Sequence, residues 1–165
     1  MISIGLQSAA DFPTAPTAEL FQEWATAVDP QIETASDVSI RIVDQNEMAS
    51  LNKQYRNKVG ATNVLAFPCE LPAELPAGWQ QLTVINEEEL AAEITFLGDI
   101  VICAPIVSAE AEQQGKSELS HWAHLTVHGI LHLLGFDHYQ EADAEHMEET
   151  EAVILKTLGF KNPYH

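Results

Sequence analysis

Positive charge is scarce in this chain. Of 165 residues seven are lysine or arginine, against 25 aspartates and glutamates, which leaves a formal net charge of −18 and a pI near 4.4. An even basic coat of the kind that wraps a nucleic acid is therefore excluded. Cysteine is scarcer still. Cys69 and Cys103 stand alone without CxxC spacing, too few for a disulfide framework, and both are expected as reduced core residues of a cytoplasmic protein. No stretch reaches the ~20 apolar residues that span a bilayer, so no membrane partner is expected. The start, Met1-Ile2-Ser3-Ile4-Gly5-Leu6, has neither a basic region nor a small-residue cleavage site, which excludes a secretory signal. Internal repeats and low-complexity segments are missing too. What is present, 46% hydrophobic residues in a chain of this length, suits one globular domain over 1–165 with a sizeable core.

Local patterns place the elements. An alternating apolar segment over 1–9 predicts a strand. Thr17 caps a helix through about Val28, with Leu20, Phe21, Trp24 and Val28 at helical spacing. Val38, Ile40 and Ile42 alternate as a half-buried strand. Asp44 and Glu47 form a capping-box-like start to a helix that ends near Arg56. Asn63 to Phe67 reads as a strand stopped by Pro68, and 68–93 is a proline- and acid-rich loop. Leu97 to Cys103 reads as a buried strand, in which Asp99 either anchors hydrogen bonds or faces the site, the structural role being the one expected. Helices follow at about 105–115, 118–134 and 140–158. Strands early and helices late describe an α+β fold with a small mixed sheet, and the helix over 44–56 is expected as a crossover between parallel strands.

One of those helices carries the chemistry. His128-Gly129-Ile130-Leu131-His132-Leu133-Leu134-Gly135-Phe136-Asp137-His138 sets three histidines at intervals of four and six. Residues i and i+4 share a helix face, so His128 and His132 can present their rings side by side. Gly135 can end the helix in the left-handed conformation, and the turn can bring His138 back to the pair. Three neutral imidazoles with a fourth position open describe a catalytic zinc site, one ion per chain. Unpaired imidazoles in so apolar a run would be costly, which argues against a chance pair. His121 and His124 fall on the same face one and two turns earlier. His124 competes with His128 as a ligand, but a supporting or packing role suits both better, because only the later triplet has the closing turn.

The spacing is that of the metzincin proteases, His-x-x-x-His-x-x-Gly-x-x-His, with one omission. The glutamate that follows the first histidine there, as general base, is Gly129 here. A general base is worth about 10²–10⁴ in rate, so the ligand geometry is kept and peptide hydrolysis loses its proton acceptor. Lys53, Arg56 and Lys58 gather three of the seven cations within six residues. They are either a solvated helix end meeting the dipole or an anion-binding group. The acidic runs, Glu87 to Glu89 and Glu141 to Glu151, are expected as solvated surface.

Taken together, Leu51-Asn52-Lys53-Gln54-Tyr55-Arg56-Asn57-Lys58, Thr62-Asn63-Val64-Leu65-Ala66-Phe67-Pro68, Leu97-Gly98-Asp99-Ile100-Val101-Ile102 and His121-Trp122-Ala123-His124 running into the histidine motif resemble the YbeY family of metal-dependent endoribonucleases over roughly residues 36–160. The chain departs from that family's usual pattern at Ala66, commonly serine, and at Ala61, commonly proline. The resemblance implies an α+β fold, zinc on His128, His132 and His138, a functional arginine at Arg56, and single-stranded ribosomal RNA as substrate in small-subunit rRNA maturation and ribosome quality control. It implies the ribosome or its proteins as partners.

The residues allow matching chemistry. Zinc on three imidazoles lowers the pKa of a coordinated water towards ~7 and polarises a phosphoryl oxygen. A guanidinium such as Arg56 suits the charge growing on phosphoryl oxygens, because its planar fork donates two parallel hydrogen bonds. Lys53 and Lys58 are further RNA-binding candidates. Asp137 either orients a ligand histidine or caps the turn after Gly135. Two other readings compete: a zinc peptidase or amidase, and a non-catalytic RNA-binding or ribosome-assembly factor in which zinc fixes the fold.

Overall fold

Alternation of apolar residues builds the sheet, and helices bury one of its faces and cover the other in part. The computed structural model describes residues 1–32, 34–69, 95–136 and 140–164. Strands β1 (Ile2–Ser8), β2 (Ser36–Val43), β3 (Val64–Pro68) and β4 (Thr95–Cys103) form one mixed sheet in the order β1-β2-β4-β3. β1 and β2 are parallel, β2 and β4 are parallel, and β3 runs antiparallel to β4. Among the described residues five α-helices accompany them: α1 (Ala18–Val28), α2 (Gln45–Arg56), α3 (Ala104–Gln114), α4 (Glu118–Leu133) and α5 (Glu141–Thr157). The fold is α+β.

Because side chains alternate across a strand, Val38, Ile40 and Ile42 of β2 and Ile100 and Ile102 of β4 point to one face. There they meet Phe21, Trp24 and Val28 of α1, Trp122, Val127 and Ile130 of α4, and Met147, Ile154 and Leu155 of α5. Val43, Val101 and Cys103 point the other way, onto Met48 and Leu51 of α2. α4 is buried nearly all round, packed against α1, α3, α5, β3 and β4. That is the environment an apolar helix needs, and it fixes the azimuth of every histidine on it.

The helix signals operate much as the sequence predicts. Thr17 accepts from the Leu20 amide at 3.3 Å and Asp44 from the Glu47 amide at 2.8 Å. The capping box of α2 is only half formed. Instead of reaching back to the cap, Glu47 takes a bidentate bond from Arg41 of β2, at 2.6 and 2.9 Å.

Four expectations need correction. The helix over 44–56 does not join parallel strands: α2 leads to β3, which is antiparallel to β4, and the connection between the parallel neighbours β1 and β2 is α1. β4 takes the interior place because Ile100 to Cys103 are buried on both faces. Short β3, ending in Pro68 without an amide donor, suits the edge. Cys103 is buried, but Cys69 is exposed just past β3, and both are free thiols. Asp99 is exposed on the sheet face beside Arg41 and Tyr55 rather than a buried anchor. Glu151, counted with the solvated acids, is fully buried on α5. The predicted loop over 68–93 lies, from residue 70 onward, outside the described residues.

Candidate active site

α4 positions the histidines and then stops abruptly. Ser117 caps its start, accepting from the Ser120 amide at 3.1 Å. At its end the Gly135 amide bonds to the His132 carbonyl and the Phe136 amide to the Leu131 carbonyl, both at 3.0 Å, with Gly135 at φ 99°. This paired closure needs a left-handed residue at that position, which glycine supplies without a Cβ penalty. Asp137 and His138 follow directly and lie outside the described residues.

His128 and His132, one turn apart, bring their Nε2 atoms to 3.1 Å, with ring centroids 4.6 Å apart. Two imidazoles bound to one tetrahedral zinc at 2.0–2.1 Å place their donor nitrogens about 3.3 Å apart. The pair therefore already has the spacing of two ligands on one tetrahedral ion, and the donor set fits the ion. The other nitrogen of His128, Nδ1, meets a Glu151 carboxylate oxygen. Glu151 also meets the Tyr164 hydroxyl, and its Oε2 lies 3.2 Å from His124 Nε2. Burial pushes the Glu151 carboxyl up, but the bonds from His124, His128 and Tyr164 outweigh that and hold it at about 2. Tyr164 is pushed up by burial and by the neighbouring carboxylate. The donor atoms of His124, His128 and Glu151 all lie within 4.8 Å of one another, a geometry that can hold a metal ion.

A cleft of about 640 Å³ opens beside the histidine pair. Its walls are His128, Gly129 and His132 of α4, Val64 to Ala66 of β3, and Arg56 and Lys58 at the end of α2. α2 ends because Asn57 adopts the left-handed conformation (φ 54°), and the Asn52 side chain holds the following loop through the Gly60 carbonyl at 2.9 Å. Arg56 is held in turn: Nη2 donates to the Ala66 carbonyl at 2.8 Å, and the guanidinium carbon sits 5.5 Å from the Phe67 ring centroid. Two cations and two imidazoles thus face one concave space in a protein of strongly negative charge.

The structure thereby brings together Arg56, Lys58, His128 and His132. Lys53 is exposed on α2 and does not line the cleft. His124 sits behind the pair, against Glu151 and Tyr164. His121 turns away, its Nε2 3.0 Å from Glu110 of α3. Glu151 and Tyr164 escaped sequence reasoning. A signal for Glu151 was present, since it lies four residues after Met147 and three and four before Ile154 and Leu155, on the apolar stripe of α5. An acid on such a stripe is buried and needs partners. Tyr164, in the short tail, offered none.

An α+β domain whose central helix presents a histidine pair to a cation-lined cleft is the frame of a metal-dependent hydrolase. The family model described as Endoribonuclease YbeY matches residues 5–159. The protein of that name from Nitrosococcus oceani is 42% identical over 163 residues, covering 99% of this chain and 97% of its own. Its namesake from Halorhodospira halophila is 48% identical over 151 residues, covering 92% and 89%. The solution structure of TM1509 from Thermotoga maritima has the same fold, with a TM-score of 0.57, 23% identity, and coverage of 94% of this chain and 87% of that one. The chain belongs to the Endoribonuclease YbeY family.

Proposed function

We propose that this chain is a zinc-dependent endoribonuclease that cuts single-stranded RNA during ribosomal RNA maturation, working in the cytoplasm as one domain over 1–165. His128, His132 and His138 hold the metal, Arg56 is the catalytic cation, and Lys58, with Lys53 at the approach, guides the RNA. One observation carries this reading: the histidine pair and Arg56 line the same cleft. The names of the relatives support the reaction class.

When bound, zinc supplies Lewis acidity to a phosphoryl oxygen and activates water near neutral pH. The chain's own residues do the positioning. Arg56, steadied by Ala66 and Phe67, has further N–H groups to offer the phosphoryl oxygens, where charge builds during cleavage. Lys58 adds a second positive charge on the same wall. Gly129 leaves the protease base position empty, and the absence of that carboxylate suits a phosphodiester better than a peptide. The alternative donor set of His124, His128 and Glu151 fits a catalytic ion less well, because Glu151 is fully buried and bonded to three neighbours.

The test is metal analysis of the pure protein together with cleavage of a defined ribosomal RNA fragment, with and without chelator. One equivalent of zinc and chelator-sensitive cleavage are expected, with the far-ultraviolet circular dichroism of the stripped protein retained. Unfolding on metal removal would favour a structural ion and a non-catalytic factor instead. Arg56→Ala should keep the zinc and lose at least about 100-fold in cleavage, the scale of one transition-state donor; wild-type cleavage would remove Arg56 from the mechanism.

A further inference from the structure

Behind the histidine pair lies a carboxylate that the proposed chemistry does not use. Glu151 projects from α5 into the interior and has no exposed surface. A carboxylate left there alone would be strongly destabilising. Three groups from two other parts of the chain converge on it: His128 Nδ1, His124 Nε2 and the Tyr164 hydroxyl.

An ionised carboxylate only accepts hydrogen bonds, so each of these atoms must carry its proton toward Glu151. That fixes two tautomers. His128 is protonated on Nδ1, which leaves its Nε2 with a lone pair 3.1 Å from His132 Nε2. His124 is protonated on Nε2, and its Nδ1 is buried without a hydrogen-bond partner among the described residues. The first arrangement is what a metal ligand requires. The second turns the only proton-free nitrogen of His124 away from any ion near Glu151.

We propose that Glu151 is the positioning carboxylate of this site: it holds His128 through Nδ1 so that the Nε2 lone pair is presented beside His132, while Tyr164 and His124 hold the carboxylate itself. This rests on the reading that His128 and His132 bind the metal. The chain tail thereby takes part in the site, since Tyr164 reaches Glu151 from beyond the end of α5. Carboxylates that orient ligand histidines are commonly worth 10–100-fold in metal affinity.

The experiment is zinc titration against a competing chromophoric chelator for the wild type, Glu151→Gln, Tyr164→Phe and His132→Ala, with unfolding of each metal-free protein followed in parallel. Histidine side-chain nitrogen NMR of the metal-free wild type and Glu151→Gln reports the tautomer of His128. Glu151→Gln should bind zinc about 10–100-fold more weakly and lose the exclusive Nδ1–H form of His128, and Tyr164→Phe should weaken zinc in the same direction by less. A purely structural glutamate would lower the unfolding midpoint and leave both zinc affinity and tautomer unchanged, which overturns the proposal. If Glu151→Gln does not fold, Tyr164→Phe decides, and wild-type affinity in that variant overturns it. His132→Ala separates the two readings. If it abolishes zinc binding while Glu151→Gln binds normally, only the positioning role falls. If it retains zinc while Glu151→Gln has none, the ion sits on Glu151 and both readings fall.

Discussion

At Gly129 one missing methyl group decides how closely the histidine-bearing helix α4 approaches the sheet. A Cβ placed there would lie 3.0, 3.1 and 3.3 Å from the Cδ1, Cγ2 and Cγ1 atoms of Ile100, itself fully buried in β4. The residue that sequence comparison marks as a lost general base is therefore also a packing requirement. A glutamate at 129 would require Ile100 to give way by a few tenths of an ångström. Alanine relieves about 1 kcal/mol of helix penalty, yet overpacking a core of this density costs about 1–3 kcal/mol. Gly129→Ala is thus expected to lower unfolding free energy by about 1 kcal/mol, measured in urea, with zinc content kept. Adding Ile100→Val removes the nearest methyl, and the double variant should be more stable than the sum of the singles by at least about 0.5 kcal/mol. Strict additivity would show that the two side chains do not compete for space.

Between elements, the junction of α3, α4 and the entry to β3 depends on a buried histidine, His121. His121 Nε2 faces Glu110 at 3.0 Å, and Asn63 donates to the same carboxylate oxygen at 3.0 Å. Burial pushes the His121 pKa below its ordinary value of 6.5, and this outweighs the Glu110 bond, which pulls it up. The sign follows from linkage: the unfolded chain takes a proton near 6.5 that the folded chain resists, so the contribution is complete above that pH and is lost as pH falls below it. Unfolding free energy should therefore decline on acidification from about 6.5, before carboxylate titration dominates, and His121→Gln should flatten the slope between pH 6.5 and 5. An identical slope in the variant would refute the assignment. This junction also shows what sequence can and cannot disclose. The position of His121 on a helix face was legible from its spacing. Its partner was not, because Glu110 belongs to another helix, and the packing of α3 on α4 brings them together.

For the whole molecule, the question is how a chain of net charge −18 meets RNA. Arg41 is engaged with Glu47, and the cations lining the cleft are Arg56 and Lys58. Two phosphate contacts on a single strand predict a salt dependence, d log K/d log[salt], of about −1.4, and a third at Lys53 about −2.1. Binding of a short single-stranded oligonucleotide to the metal-loaded protein, measured from 50 to 200 mM salt, should give a slope between about −1 and −2.5. A slope of −4 or steeper would require basic residues beyond these three.

Sequence alone determined what is local. The i, i+4 histidine pair, the glycine that ends its helix, the caps at Thr17 and Asp44, and the alternating strands involve residues within a turn or two of one another, so backbone geometry dictates them wherever the chain goes. Tertiary structure decided the rest. β4 rather than β3 lies beside β2 because Ile100 to Cys103 are buried on both faces, whereas short β3 ends in Pro68 without an amide donor. Arg56 enters the histidine cleft because β3 carries the Ala66 carbonyl and the Phe67 ring that hold it. Glu151 leaves the solvent because the stripe it shares with Met147, Ile154 and Leu155 must be buried, and the interior it enters contains His128. Each of these depends on which apolar face finds which partner, a choice made by the core as a whole.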